Sequence, residues 1–453
     1  MASPTATIEK SRFEKDFRLI KSESGHHLFA VNGSRLFDIP EDLAEELARD
    51  PESEDIAQML DQLNERTFID DTRLPVPALY SISLNVSQTC NMGCVYCYAD
   101  EGKFGGAARM MKEETARATV DHLLASSEAG ATVVVGFMGG EPLLSRSLIH
   151  NTVKYATEAA QKAGKRVKFS ITTNGTLITD EDARLFTTFP FTVAFSIDGP
   201  QHTNDALRPM KNGSGSYNKV IEGLNKILKY GRPEHLSARV TVSPKTGRLL
   251  PILDHLVSLG FDEVGFSAVV VSPRKAHEFD EQSFQDFTHY MIECGEKAKQ
   301  ALLSGIRYPF GNFEVALNEI HRGSHKPYPC GAGAAYLSAN AEGKLYACHR
   351  LIDNQDYVMG SVYAGHDDEA RAALLNDKHV HLQEPCNSCW ARYLCGGGCY
   401  HEVSLRGRNG CNYIKDWLTY CLAAYAELSE RIPEYFKQPK DFFETELYST
   451  STI

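Results

Sequence analysis

Three cysteines lie close together in QTCNMGCVYCYAD, which covers residues 88 to 100. Cys90, Cys94 and Cys97 follow the spacing C-x3-C-x2-C. An odd number of thiols is awkward for a disulfide framework, and a structural zinc site normally takes four ligands. Three thiolates can instead bind three corners of a [4Fe–4S] cube and leave the fourth iron open. A zinc knuckle completed by a distant fourth ligand is the alternative that this spacing alone leaves open.

A second set of cysteines lies toward the C-terminus. Cys330, Gly343 and Cys348 give C-x12-G-x4-C, and CNSCWARYLCGGGC then gives C-x2-C-x5-C-x3-C before Cys411. A zinc ribbon is the structural alternative, because C-x2-C pairs are commonest in zinc sites. The cysteines of the middle stretch are Cys386, Cys389, Cys395 and Cys399.

Composition limits the class of protein. The 453 residues are 42% hydrophobic, which is typical of a globular chain with a sizeable core. The net charge of −12 argues against a nucleic-acid partner. We find no apolar stretch of signal-peptide length at the N-terminus and no run long enough to cross a membrane. We therefore expect a cytoplasmic protein without a membrane partner, where twelve cysteines hold metal or do chemistry rather than form disulfides.

Residues 1–78 form a small separate unit in this interpretation. Three short strand-like pieces are broken by Gly, Asn and Pro, and two segments carry apolar residues at helical spacing. This pattern predicts a winged-helix-like module. The acidic character of its helices makes DNA binding an unlikely role.

From residue 79 to residue 285, strands and amphipathic helices alternate. This alternation predicts parallel β/α units, and six of them give an α/β fold of the partial (β/α)6 TIM-barrel type. Catalytic groups of such barrels lie at the carboxyl ends of the strands, where the cysteine loop falls. The six predicted strands are 81–86, 132–138, 167–173, 192–197, 237–242 and 263–270.

Beyond the barrel, the periodicity of apolar residues becomes less regular. Residues 280–304 predict one long helix, which overlaps a bridging helical segment assigned to 286–327. Regular periodicity fades over 328–425, so this loop-rich domain needs something other than apolar burial to hold it together. We expect residues 426–453 to be a tail.

Several turns at successive strand ends resemble those of the radical S-adenosylmethionine (SAM) enzymes. The cysteine loop has an aromatic residue before its last cysteine, and GGEP, TTNGTLI and SIDGP follow the next three strands. Each could be an ordinary turn by itself. The resemblance implies an enzyme in which SAM binds the open iron and its cleavage gives a 5′-deoxyadenosyl radical. The SAM contacts that it implies are Tyr96, Gly139, Gly140, Glu141, Pro142, Thr173, Asn174, Ser196, Asp198 and Arg208.

The C-terminal cysteines resemble the SPASM extension of this family, which carries two auxiliary clusters. The resemblance implies three [4Fe–4S] clusters in all, with an inner cluster on Cys330, Cys348 and Cys399. Sulfatase-maturating relatives have one more cysteine six residues after the first, and this chain has Tyr336 there. One iron of the inner cluster is therefore left without a protein thiolate. The ligands implied for the outer cluster are Cys386, Cys389, Cys395 and Cys411.

Two cysteines remain outside these sets. Cys294 and Cys421 each lie on an apolar helical face, so we expect buried core thiols. Recruitment of either one to the open iron is the alternative.

The resemblance implies a ribosomally made peptide or a small protein subunit as substrate. It also implies a low-potential electron donor of the flavodoxin or ferredoxin type. Residues 1–78 resemble the peptide-recognition domains of peptide maturases, in which a leader adds as a strand at a sheet edge. A simple capping domain is the alternative.

The open iron suggests that a substrate cysteine binds there and forms a thioether to carbon. The sequence around Cys348 and Cys399 is most similar to that of thioether-forming maturases. These are the SCIFF peptide maturases and the enzyme that cross-links the small subunit of quinohemoprotein amine dehydrogenase.

Other reactions and roles stay open at this point. C–C cross-linking, formylglycine formation or epimerisation would use the same SAM site, and an Fe–S adaptor without catalysis is a further alternative. We identify no general base, because His349 and His401 suit supporting or surface positions equally well.

Overall fold

The computed structural model describes residues 12–63 and 75–437. The N-terminal segment in which we expect no signal peptide, and most of the predicted tail, lie outside these residues. No helix within the described ranges combines the length and apolar character needed to span a bilayer.

The N-terminal module contains the predicted three strands and two helices. The strands form an antiparallel sheet in the order β1-β2-β3, and a short helix precedes them. One sheet face packs on the two longer helices, and their shared core contains Phe17, Leu28, Leu47 and Ile56. The elements are α1 (Arg12–Asp16), β1 (Phe17–Ser22), β2 (Gly25–Ala30), β3 (Arg35–Ile39), α2 (Glu41–Arg49) and α3 (Glu54–Leu63).

The six predicted barrel strands are confirmed within two residues at each end. They pair in parallel and in chain order from β4 to β9, and helices cross between them. The strands are β4 (Ser81–Ser87), β5 (Thr132–Gly139), β6 (Arg166–Thr173), β7 (Phe191–Ser196), β8 (His235–Val242) and β9 (Glu263–Ala268). The helices are α4 (Glu113–Ser126), α5 (Arg146–Lys162), α6 (Asp180–Thr188), α7 (Gln201–Leu207), α8 (Tyr217–Tyr230) and α9 (Leu250–Ser258).

The C-terminal domain extends the barrel sheet, which the sequence did not predict. Its first strand pairs in parallel with β4, and three further strands continue the sheet antiparallel. The result is one ten-stranded sheet that runs from the C-terminal domain through the barrel. The added strands are β10 (Tyr336–Ala339), β11 (Lys344–Tyr346), β12 (Val358–Ser361) and β13 (Gly365–His366).

The remaining helices cover the open side of the barrel and the cysteine-rich region. The long helix predicted at 280–304 is confirmed as α10, so the boundary predicted at residue 285 falls inside a helix. The boundary predicted at residue 425 also falls inside a helix, because α15 continues to Arg431 with Leu428 fully buried. The helices are α10 (Glu281–Leu303), α11 (Gly311–His321), α12 (Asp368–Lys378), α13 (Arg392–Cys395), α14 (Tyr400–Arg406), α15 (Cys411–Arg431) and α16 (Glu434–Lys437).

The barrel strands place bulky side chains outward and small ones inward. On β4, Ile82 and Leu84 belong to the main core, whereas Ser81 and Ser83 face the interior. Closed TIM barrels fill the interior with bulky branched residues. Small inward side chains therefore leave a hollow barrel. Further inward positions of this kind are Gly136, Ser170, Thr192, Ala194, Ser237, Gly265 and Ser267.

Candidate active site

The hollow barrel contains a cavity of about 1420 Å³. At the carboxyl ends of the strands it is lined by Cys90, Cys94 and Cys97, and it extends down to Lys168 and Glu263 at the amino ends. Sites for small ligands commonly occupy about 300–1,000 Å³. The cavity is therefore large enough for a cofactor and part of a second molecule.

The three cysteines of the loop after β4 are held around one end of this cavity. The loop is folded by its own hydrogen bonds, including one from the Cys97 backbone N–H to the Cys94 carbonyl at 3.2 Å. Burial raises the pKa of Cys90 to about 12 and also raises the pKa of Cys94. Such thiols ionise only when nearby positive charge stabilises the thiolate, which an iron cluster supplies.

Hydrogen-bond donors already point at one of these sulfurs. The Met92 backbone N–H lies 3.4 Å from the Cys90 Sγ, and the Asn174 side-chain amide lies 3.9 Å from it. Donors of this kind are found around the ligand sulfurs of iron–sulfur clusters. The donor set and its surroundings therefore fit a [4Fe–4S] cluster with three protein ligands.

The two glycines of GGEP end β5 and line the cavity. We expected them to let the backbone approach a ligand, and the structure gives them a second role. A Cβ on Gly139 would lie 2.2 Å from the Ser87 carbonyl oxygen, and one on Gly140 would lie 2.3 Å from that of Thr89. Both glycines are therefore needed for the cysteine loop to pack closely on the end of β5.

Glu141, the third residue of GGEP, is fully buried behind the cavity wall. Its carboxylate accepts hydrogen bonds from the Asn174 backbone N–H at 2.8 Å, the Thr173 hydroxyl at 2.8 Å and the Leu143 N–H at 3.0 Å. Burial raises the pKa of this carboxyl, although these donors oppose the rise. Glu141 thus ties the end of β5 to the end of β6, and the neighbouring Pro142 is buried as well.

Asn174 joins the loop after β6 to the cysteine loop. Its side-chain amide donates to the Asn91 side-chain oxygen at 2.8 Å, and the Asn91 amide donates to the Thr176 hydroxyl at 2.9 Å. Thr173 and Asn174 both line the cavity, as expected for SAM contacts. Asn91 was missed by the sequence analysis, although its place directly after Cys90 is a signal that could have been used.

Tyr96, Asp198 and Arg208 form a buried hydrogen-bonded group beside the cysteines. The Tyr96 hydroxyl donates to Asp198 Oδ2 at 2.5 Å and accepts from Arg208 Nη1 at 2.5 Å. The other Asp198 oxygen accepts from the Thr241 backbone N–H at 2.9 Å. Tyr96 and Arg208 line the cavity, whereas Asp198 lies behind them and fixes their positions. Ser196, at the end of β7, also lines the cavity.

The Arg208 guanidinium stays charged in this group. Burial alone would lower the pKa of Arg208, but the neighbouring Cys94, Tyr96 and Asp198 raise it well above its usual value. Arg208 Nε is buried and has no hydrogen-bond acceptor among the described residues. A carboxylate of a bound cofactor would satisfy this donor.

The inner cysteines come together beside this site. Burial raises the pKa of Cys348, and the neighbouring Cys399 and Cys330 raise it further. Burial raises the pKa of Cys330 to about 11, and this residue lines the cavity. The sequence-predicted inner set is therefore one spatial group at the cavity wall.

Tyr336 lies in the same place and makes hydrogen bonds away from the sulfurs. Its hydroxyl is 2.7 Å from the Ser83 hydroxyl on β4 and 3.1 Å from His349 Nδ1. Burial lowers the pKa of His349 to about 3, so its imidazole is neutral near pH 7. The phenol is thus a fixed part of the wall between the barrel and the inner group.

Arg350 is a cavity residue that the sequence analysis missed. Its Nη1 donates to Glu402 at 2.5 Å and to the Cys399 Sγ at 3.8 Å, and its guanidinium lies 5.2 Å from the Tyr98 ring centre. Its place two residues after Cys348 is a signal that could have identified it. Arg350 connects the inner cysteines to the loop that follows Cys97.

The outer cysteines form a third group, away from the cavity. Burial raises the pKa of Cys395 to about 12, with further contributions from the other three members. The four members are those predicted: Cys386, Cys389, Cys395 and Cys411.

Cys294 and Cys421 lie in neither auxiliary group. Both are fully buried in the main core, on α10 and α15, so the prediction of core thiols is confirmed. No set of three or more His, Cys, Asp or Glu side chains in the described part of the chain has the spacing of a single-ion site. A cubane binds each thiolate through a different iron, so its ligands lie farther apart than those of one ion.

Comparisons with known proteins agree with this geometry. The sequence profile described as Radical SAM superfamily matches residues 84–248. A serine-type anaerobic sulfatase-maturating enzyme of Bacteroides thetaiotaomicron is 34% identical over 418 residues, covering 82% of this chain and 92% of that protein.

Two solved structures share the fold. The structure of anSMEcpe with bound AdoMet has a TM-score of 0.68 at 18% identity, and the match covers 82% of this chain and 98% of that one. Streptococcus suis SuiB bound to the precursor peptide SuiA has a TM-score of 0.52 at 13% identity, covering 86% and 96%.

Proposed function

This chain belongs to the radical SAM superfamily, among the SPASM-type maturases that include the anaerobic sulfatase-maturating enzymes, and we propose that it forms thioether links in a peptide or protein. It is a radical SAM enzyme that modifies a peptide or protein. In the proposed reaction a C–H bond and an S–H bond of the substrate are broken and a C–S bond is formed. One hydrogen atom would go to the 5′-deoxyadenosyl radical, the thiol proton to solvent, and the remaining electron to a cluster held by the inner cysteines. Each linkage therefore removes two hydrogen atoms from the substrate and keeps the sulfur.

The proposal assigns the cluster that binds SAM to Cys90, Cys94 and Cys97. SAM bound there supplies, after one-electron reduction, a 5′-deoxyadenosyl radical that takes a hydrogen atom from the substrate. Arg208, oriented by the Tyr96 hydroxyl, is the proposed partner of the SAM carboxylate. Gly139, Gly140, Thr173, Asn174 and Ser196 are its other proposed contacts.

One observation carries the choice of reaction: the position of Tyr336. The inner group contains three thiols, and the residue that would give a fourth is a tyrosine whose hydroxyl bonds to Ser83 and His349. A group with three protein thiols can accept one more sulfur, which a substrate cysteine supplies. Because the inner group lies at the wall of the same cavity as Cys90, such a cysteine would be held close to the radical site.

The size of the cavity supports a peptide as substrate. Its 1420 Å³ exceeds the volume that a small ligand commonly needs. The solved structures of similar fold include one that holds a precursor peptide. The N-terminal module, with its three-stranded sheet, is a proposed binding site for a leader segment.

A second candidate is oxidation of a substrate cysteine or serine to formylglycine. The similarity to a serine-type anaerobic sulfatase-maturating enzyme favours it over the thioether reaction. Both reactions use the same SAM site, so only the product distinguishes them.

The test is co-expression with short cysteine-containing peptides and, separately, with a peptide that carries a sulfatase-type cysteine or serine site, each followed by mass spectrometry. A thioether appears as the loss of two hydrogens per linkage, with cysteines that no longer react with iodoacetamide. An aldehyde that reacts with hydrazine, in place of a cysteine or serine, would refute the thioether and support formylglycine. Cys90→Ala should abolish either product, whereas Cys294→Ala, in a cysteine outside all three groups, should keep it.

A further inference from the structure

The outer cysteine group is connected to the N-terminal module by one arginine. Arg392 lies between Cys389 and Cys395 and is 3% exposed. Its Nη2 donates to Asp16 Oδ1 and to Asn32 Oδ1, both at 2.7 Å. A single guanidinium therefore reaches from the cysteine-rich loop to two side chains of the module.

The same guanidinium also donates to backbone carbonyl groups of the N-terminal module and of the cysteine-rich loop. Arg392 Nη1 donates to the Lys15 carbonyl oxygen at 2.7 Å and to the Cys389 carbonyl oxygen at 3.1 Å. Cys389 is a proposed ligand of the outer cluster. The Arg392 side chain therefore contacts both this ligand and the N-terminal module.

Apolar contacts strengthen this junction. Trp390, directly after Cys389, meets the Phe29 ring edge-on at a centroid distance of 6.3 Å. The guanidinium of Arg18 lies 5.5 Å from the Trp390 ring centre. While one face of the module's sheet packs on its own helices, Phe29 and Ile20 on the other face belong to the main core of the molecule. The loop of the outer group is thus part of the docking surface.

The loop itself has little regular structure. Between residues 386 and 395 it contains one short turn of 3₁₀ helix and the four-residue helix α13. Such a segment gains its order from what it binds, because metal binding supplies folding free energy to loop-rich sites. If the thiolates were not held together, Arg392 would no longer be fixed opposite Asp16. Breaking a buried charge pair strongly destabilises the contact that contains it.

We propose that the outer four-cysteine site anchors the N-terminal module to the core of the enzyme. With the outer cluster in place, the loop presents Trp390 and Arg392 and the module is docked. When the cluster is lost, the module is released while the barrel stays folded. The inference rests on the assignment of a cluster to the outer cysteines in the proposed function, and it gives that cluster a role outside the chemistry.

The test is hydrogen–deuterium exchange of peptides that cover Phe17–Ala30, in the reconstituted full-length enzyme. Cys386→Ser combined with Cys411→Ser leaves two outer thiols, so it should remove iron from the outer group while Trp390 and Arg392 stay in the sequence. We expect at least tenfold faster exchange of Phe17–Ala30 and unchanged exchange of the barrel strands. The matched control is Cys348→Ser in the inner group, which should lower the iron content and leave the exchange of the module unchanged.

Arg392→Gln tests the junction with all cysteines present. We expect wild-type iron content and the same acceleration of exchange in the module, whereas Lys378→Gln should behave as wild type. Lys378 is the matched control because it is a cation of the same domain that pairs with Asp377.

Two results would overturn the anchor. One is unchanged exchange in Arg392→Gln, or in the Cys386→Ser/Cys411→Ser protein that has lost iron. The other is a wild-type iron content in the Cys386→Ser/Cys411→Ser protein, which also refutes the ligand assignment. Formation of 5′-deoxyadenosine by the wild type would show in either case that the proposed radical chemistry stands.

Discussion

The Tyr96 hydroxyl is the most informative atom to remove from the proposed SAM site. Tyr96→Phe keeps the ring, which is 7% exposed, and deletes the hydroxyl that joins Asp198 to Arg208. Each hydrogen bond to a charged group contributes about 1.5–3 kcal/mol. Asp198 keeps its bond to the Thr241 N–H, and its carboxylate already lies 3.9 Å from the Arg208 guanidinium, so part of the loss is recovered.

We therefore expect a net loss of about 2 kcal/mol, most of it in the free energy of SAM binding. Without the Tyr96 hydroxyl, the Arg208 guanidinium is no longer held in place. Ordering it when the SAM carboxylate binds then opposes binding. The dissociation constant should rise by roughly 30-fold. Equilibrium dialysis with radiolabelled SAM, using cluster-loaded protein, measures this constant directly.

Tyr98→Phe is the matched control, because it makes the same substitution on the other side of Cys97. Tyr98 is 37% exposed and packs against Phe104 and His401 through its ring, which the substitution keeps. Its SAM affinity should equal that of the wild type. A Tyr96→Phe enzyme that binds SAM within threefold of wild type would refute the proposed role of the Tyr96, Asp198 and Arg208 group.

Three further predictions concern the supports of the site. Glu141→Gln should lower the free energy of unfolding, measured by urea titration, by about 2 kcal/mol, because the amide NH₂ would face a backbone N–H such as that of Asn174. Unchanged stability would contradict the role of Glu141 in joining the ends of β5 and β6. Burial opposes ionisation of Asp182, but hydrogen bonds from His150 and other donors hold its pKa below the usual range. Its stabilisation is therefore present above about pH 4 and lost as the pH falls through the lower folded pKa. Asp182→Asn should cost about 3 kcal/mol at pH 7 and progressively less below pH 4, and a pH-independent cost would contradict this. Tyr336→Phe should keep 5′-deoxyadenosine formation and reduce the yield of modified peptide, as measured by mass spectrometry; an unchanged yield would exclude a role for its hydroxyl.

The barrel could be predicted because its signals are local. Each of β4 to β9 is an apolar or alternating run of six to eight residues, and the turns after β5, β6 and β7 contain glycine. The strand signals do not depend on contacts between distant segments. The grouping of the C-terminal cysteines was implied by the resemblance to the SPASM extension, because spacing alone does not join Cys330 and Cys348 to Cys399.

The extension of the sheet could not be predicted for the opposite reason. The strand Tyr336–Ala339 has four residues, and its partner Ser81–Leu84 lies more than two hundred residues earlier in the chain. A strand this short carries no usable periodicity. The internal role of Glu141 was missed for a similar reason, since the groups that donate to its carboxylate come from two different strand ends. Motif spacing identified these residues but did not separate those that line the cavity from those that support its wall.

The pairing of β10 with β4 has a mechanical consequence. Cys90, Cys94 and Cys97 follow β4, and Cys330 precedes β10, so their loops are attached to adjacent strands of one sheet. A shift of register by one residue would displace Cys330 relative to the loop after β4 by about 3.3 Å and would break the hydrogen bonds between the strands. Backbone pairing therefore contributes to the distance between these cysteines. For the proposed peptide substrate, that distance limits how few residues can separate its two reacting positions.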